Sequence, residues 1–528
     1  MKLGFFATFV VWFLIGGVVN APAATKVDLS KSTLGINIAE NRSIAPPPAF
    51  FGTQRNGTEV VHLLCGSIFD ETCSAAYAIS GWNHLSPCIE PITTNCISSM
   101  YAIDSSDNRV EGRFVKFVTT KSKYEYPASD VNNLPQGRSQ GGIWELPGVT
   151  HSGGNDQYYV STNLQLGINK VSGKKITTEK FYFSSFGATI SPVKEILGNY
   201  NQIEPSDGFA FGIPKSDGPN SCVMTGGGVC YLPQEFPKEY RFGLKVLLAT
   251  KIKGWFHGRV FQPVVEVKSE GLGQTITLEA SPLQIPTLYE RVNTSEIGSD
   301  FRTFLSGERS FAVSDSYFMP GNSGKEALDM AGYWLPLVKD KASTSEMVWS
   351  VRTLSGEQDS DYSRCLNNTN ELTGIVTTNS LVYSAGPPTY NKAEGSLDYK
   401  LLSPHFSATG EVATGTYDLV LSSDVARCIY GFSKAPIQAV ISVVGGDGEN
   451  KVATTLVREK NNWIMLSAKG FTFSSPTVRV KLSQNAAVAP AVSSKNSVKK
   501  TTITCAKGKK VQRIYGVKPK CPTGYKKR

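Results

Sequence analysis

Along most of this chain apolar and polar residues alternate one by one, the period of a strand with one buried face. After the turn Glu270-Gly271-Leu272-Gly273, the residues Ile276, Leu278 and Ala280 interleave with Thr275, Thr277 and Glu279. Segments 96–104 and 109–118 alternate around Ser105-Ser106-Asp107-Asn108, which predicts a hairpin. Further strands are expected at 157–166, 177–183 and 242–249. Between Trp349 and Leu482 short apolar runs recur at a spacing of roughly ten residues, the rhythm of an antiparallel sandwich. Gly445-Gly446-Asp447-Gly448 marks one reversal among them. Helical spacing occurs at 324–338, where Leu328, Ala331 and Leu335 share a face, and Ser323 with Glu326 has the spacing of a capping box. The expected fold is mainly β: two or more antiparallel β-sandwich-like units joined by a short helical connector.

The ends differ from this body. Lys2, an apolar run from Leu3 to Val19 and the small residues Ala21 to Ala24 read as a secretory signal peptide over 1–24, with a retained apolar helix as the alternative. The expected division is then an extended lead-in at 25–52, a β-rich region of one or two domains at 53–300, a helical connector at 301–344, a sandwich-like domain at 345–484, a linker at 485–500 and a tail at 501–528. Ten cysteines in an exported chain favour disulfides. Spacing favours Cys65 with Cys73, Cys88 with Cys96 and Cys222 with Cys230, leaving Cys365 with Cys428 and Cys505 with Cys521. A crossed set, such as Cys65 with Cys96 and Cys73 with Cys88, is the alternative for the first four. No C-x-x-C pair exists and the five histidines are scattered, so a zinc site has no support.

The net charge of +10 is concentrated at one end. From Lys495 to Arg528 there are twelve basic residues and no acidic one, which leaves the rest of the chain at −2. Within the tail, 501–505 and 511–517 alternate enough to pair around Lys507-Gly508-Lys509-Lys510, with Cys505–Cys521 as a staple. A rigid hairpin holding Lys507, Lys509, Lys510, Arg513, Lys518 and Lys520 together is a candidate polyanion-binding site. For an exported chain the expected partner is an anionic cell-wall glycopolymer or membrane surface, while the β-units face a ligand the sequence does not identify. Nucleic acid is not the expected partner, although Tyr515 and Tyr525 can stack on bases.

The runs Val425-Ala426-Arg427-Cys428-Ile429-Tyr430-Gly431-Phe432-Ser433-Lys434-Ala435-Pro436 and Gly470-Phe471-Thr472-Phe473-Ser474-Ser475-Pro476-Thr477 carry a resemblance, as do 503–510 and Lys518-Pro519-Lys520-Cys521-Pro522. Together they make residues 345–528 similar to uncharacterised secreted multidomain proteins of freshwater actinobacteria. A weaker similarity extends to 95–97 and 143–154. The resemblance implies an exported, disulfide-containing envelope protein and supplies no catalytic residue.

Other motifs have bland readings beside their chemical ones. Gly321-Asn322-Ser323-Gly324 is similar to a serine-protease nucleophile loop, but Asn322 stands where an acid is needed and no histidine motif accompanies it. His151 lies in a polar loop, and His257 beside Trp255 and Phe256 on an expected strand. Glu357, Asp359 and Asp361, and Asp104 with Asp107, place carboxylates at near-alternate positions without completing a calcium loop. Trp82, Trp144 and Trp334 suit either a core or a sugar platform. Gly226-Gly227-Gly228, closed between Cys222 and Cys230, reads as a turn rather than a phosphate cradle. No catalytic set, metal site or cofactor motif emerges. A structural or binding role at the cell envelope is therefore expected, with a secreted hydrolase acting on glycans or peptides as the alternative and a filament subunit as a third.

Overall fold

The alternating segments are strands: the fold is mainly β, with 56% strand, 9% helix and several sheets. The computed structural model describes residues 28–40, 47–89, 92–118, 125–138, 140–200, 205–207, 210–211, 222–307, 312–314, 317–354, 365, 371–433, 437–444, 450–452, 454–473, 477–484 and 501–528. The expected leader at 1–24, the acidic loop of Glu357, Asp359 and Asp361, the turn 445–448 and the linker 485–500 lie outside the described residues. Among the described residues four α-helices interrupt the strands: α1 (Glu71–Ala75), α2 (Ser299–Ser306), α3 (Lys325–Leu337) and α4 (Ser423–Tyr430). Chain contacts divide the molecule into a body, residues 1–434 with 438–482, and a small unit formed by 483–528 with 435–437.

Two long hairpins run through the body. Gln157–Asn169 pairs with Tyr182–Leu197, and Gly254–Glu270 pairs with Gly273–Asn293 through a turn at Gly271, whose φ of +60° suits glycine. Thr344–Thr353 pairs antiparallel with residues of both hairpins. Leu372–Thr378 then pairs in parallel with Gly254–Glu270, and Thr414–Ser422 and Trp463–Thr472 follow as antiparallel neighbours.

This parallel pairing corrects the expected division at 301–344. Strands from both sides of the proposed connector share one ladder, so 53–300 and most of 345–484, up to Leu482, belong to the same compact body. The pairing joins segments about a hundred residues apart, and local periodicity carries no trace of it. The lead-in is also corrected. Thr33–Ile38 is a strand paired with Gly273–Asn293 and, in parallel, with Tyr317–Met319, and Leu34, Ile36 and Ile38 are buried. They pack with Phe301 and Leu305 of α2, and with Met330, Ala331 and Trp334 of α3.

The expected helix forms, but its cap differs. Gly324, at φ +95°, occupies the N-cap, and no side chain caps the first turn. Ser323 instead accepts a hydrogen bond from Arg352 at 3.4 Å, and Gly324 N–H donates to Tyr383 O, which sets the helix start one residue later. The hairpin expected over 96–118 is shorter than its pattern. Cys96–Ile103 pairs with Arg109–Glu111 only, and Arg113–Phe117 then joins Gly142–Glu145. Gly112 makes the change of partner: its N–H donates to Met100 O, and a Cβ there would stand 2.6 Å from that oxygen. In the segment 177–183, only the end is extended, the strand beginning at Tyr182.

All five expected disulfides form: Cys65–Cys73, Cys88–Cys96, Cys222–Cys230, Cys365–Cys428 and Cys505–Cys521. Their Cα separations of 5.0–5.7 Å are ordinary for a bridge, and the crossed alternative is excluded. Among the described residues no helix is long and apolar enough to cross a membrane.

Candidate functional site

The tail is a three-stranded sheet. Thr501–Lys507 pairs with Lys510–Gly516 through a turn at Gly508, whose φ is +60°, and Lys526–Lys527 adds to the other edge of the first strand. Cys505, fully buried and bonded to Cys521, closes the loop that brings the third strand back. Nine cations and no carboxylate lie in 501–528.

Cross-strand partners share a face. Lys507 opposite Lys510, with Gln512, Cys505 and Lys527 in the next row, defines one face. Arg513 opposite Thr504 and Lys526 in the row of Ala506 and Val511 define the other, completed by Tyr515 opposite Thr502. The sheet therefore splits the expected cation set: Lys507 and Lys510 act together, Arg513 points away from them, Lys509 sits in the turn, and Lys518 and Lys520 lie in the stapled loop. Lys526 and Lys527, absent from the expected set, are brought in by the third strand. A two-residue strand is too short for periodicity to reveal.

Most other candidate residues take structural roles. His151 is buried: its Nδ1 accepts from Gly153 N–H at 3.1 Å and its Nε2 lies 3.0 Å from Gln157 O, so it is neutral with the proton on Nε2. Burial lowers its pKa, consistent with that tautomer. Asp104 accepts from Ser106 and Asn108 N–H and Asn108 Nδ2, while Asp107 pairs with Arg241 at 2.9 Å, so both carboxylates serve the turn. Gly228 N–H donates to Tyr200 O inside the disulfide-closed turn. Trp82, Trp144 and Trp334 are all buried.

A buried ionic cluster escaped the sequence. Arg259, 1% exposed, donates Nε to Glu40 Oε2 at 2.7 Å and its terminal nitrogens to the carbonyls of Thr378, Ser380 and Leu381. The same Glu40 oxygen accepts from Asn322 Nδ2 at 2.7 Å. His257 stacks on Tyr383 with ring centroids 3.7 Å apart, and Arg352 donates to the Tyr383 hydroxyl. Burial, then the charges of Arg259 and Arg352, push the His257 pKa well below its ordinary value. Four of the arginine's five N–H donors are taken up by the protein's own oxygens, so the cluster ties the lead-in, the long hairpin and the segment 378–383 together.

A second buried acid, Asp418, sits between Thr377 and Ser467 on the central strand of its ladder. Its Oδ2 accepts from Thr377 Oγ1 at 3.1 Å and from Gln262 N–H at 2.6 Å, the latter presented by a bulge at φ +50°. Oδ1 has no hydrogen-bond partner. Burial raises the Asp418 pKa to about 6.

A small recess with room for about one water molecule is lined by His84, Ser86, Phe114, Phe117 and Trp144 among others, and its lining holds no carboxylate, so no acid pair for glycoside hydrolysis is found there. Among the described residues the one grouping with metal-ligand atoms close together is Cys65, Asp70 and Cys73. Its thiols form a disulfide and its carboxylate caps α1 by accepting from Cys73 N–H, so it is not a metal site. No protein-family model, no curated protein and no solved structure matches this chain.

Proposed function

We propose that this chain is an exported structural or binding protein of the cell envelope, held at an anionic glycopolymer or membrane surface by its C-terminal basic sheet while the β-rich body meets another ligand. The observation that carries the reading is the sheet itself: nine cations and no acid on a framework stapled by Cys505–Cys521. Fixed cations engage a polyanion without losing backbone entropy, and they bind by displacing its counterions. Five disulfides accord with an oxidising compartment. The test is binding of the chain to purified envelope, with and without residues 495–528, across a salt series. Binding that is lost on truncation and weakened by salt supports the anchor. Binding unchanged by truncation overturns it.

A further inference from the structure

The two faces of the tail sheet are chemically unlike. One presents the point charges of Lys507, Lys510 and Lys527, with Gln512 and the buried Cys505 on the same face. The other carries Tyr515, 69% exposed, and Val511, 55% exposed, on one strand with Arg513 between them, and Thr502 and Thr504 beside them on the next. Lys526 completes that face at its far edge.

We infer that this second face is a recognition surface for an acidic polysaccharide, with a sugar ring stacked on Tyr515 and its acidic group held by Arg513. This rests on reading the tail as a polyanion-binding sheet. The argument is the spacing and the kinds of group present. Tyr515 and Arg513 are two residues apart on one strand, so they point the same way about 6–7 Å apart, near the span of one pyranose ring and its substituent. An aromatic face matches the C–H face of a sugar, a guanidinium takes a carboxylate or phosphate bidentately, and the two threonine hydroxyls match sugar hydroxyls. A lipid surface is the poorer occupant, because the apolar Tyr515, Val511 and Ala506 are interrupted on this face by Arg513, Lys526 and the hydroxyls of Thr502 and Thr504.

The experiment uses the full chain and three probes at fixed ionic strength: polygalacturonate, polyphosphate and phosphatidylglycerol vesicles. Tyr515→Ala is expected to weaken polygalacturonate binding five- to tenfold while changing polyphosphate binding less than twofold, and Tyr515→Phe to keep wild-type affinity for both. Polyphosphate binding doubles as the check that the sheet remains folded. Equal loss on both polymers, or no loss on polygalacturonate, overturns the inference. A larger loss on vesicles than on polygalacturonate overturns it in favour of a lipid surface. Should the wild-type chain bind none of the three probes, the anchor reading falls as well, which separates the two failures.

Discussion

Replacing Asp418 with Asn tests whether burial of that carboxylate governs part of the body's pH response. In the folded chain the Asp418 pKa is raised to about 6, and in the unfolded chain it returns to the usual aspartate value of about 4. The folded state therefore holds the proton more tightly. The stability Asp418 contributes is fully present below pH 4 and is lost as pH rises through 6. A shift of about two units corresponds to about 3 kcal/mol. Asp418 is only 2% exposed, so solvent screening takes little from that figure. In Asp418→Asn the carbonyl oxygen keeps the bonds from Gln262 N–H and Thr377, and the new amide faces Ser467 in place of the unpartnered oxygen. The assay is thermal unfolding of both proteins from pH 4 to pH 8. With an unfolding entropy of about 0.9 kcal/mol per kelvin for the roughly 420 described residues, 3 kcal/mol is about 3 °C. The variant should gain about 3 °C over the wild type between pH 4 and pH 8, most of it between pH 4 and 6. A difference that stays constant with pH refutes the assignment.

Other substitutions probe other parts of the argument. Glu40→Ala strands the charge of Arg259 in the core and should cost about 3–5 kcal/mol, whereas Lys268→Ala, which breaks the exposed pair with Glu266, should stay within about 0.5 kcal/mol; denaturant midpoints compare the two. Ile36→Ala should cost about 2–5 kcal/mol by opening a cavity between the lead-in strand and α3, measured the same way. The double change Cys505→Ser with Cys521→Ser removes a 16-residue closure worth about 3 kcal/mol, so limited trypsin digestion should cut the tail lysines much faster than in the wild type. If six cations engage a polymer of nucleic-acid-like charge density, affinity should fall about a thousandfold between 50 and 200 mM salt, and titration at four salt concentrations reads the slope.

Local pattern carried much of the fold. The alternation of Ile276, Leu278 and Ala280 marked a real strand, the spacing of Leu328, Ala331 and Leu335 marked α3, and eight-residue cysteine intervals marked three bridges. What stayed hidden was long-range. Leu34, Ile36 and Ile38 alternate as clearly as any strand, yet a polar, proline-containing setting disguised them. Nothing near Glu40 announces Arg259, because their bond spans 219 residues. In the tail the alternating pattern exposed two strands and the staple, but which cations share a face depends on register, and register became readable only with the pairing of Lys507 to Lys510.

The reach of that lead-in also sets an order of assembly. At a synthesis rate of about 5–20 residues per second, the 219 residues between Glu40 and Arg259 take roughly 10–45 s to appear. Through that interval Leu34, Ile36 and Ile38 have no edge to join, while cysteine pairs eight residues apart are already within reach of one another. Pairing of Thr33–Ile38 therefore cannot precede synthesis of its partners at 288–293 and 317–318, a non-local closure of the kind that slows folding.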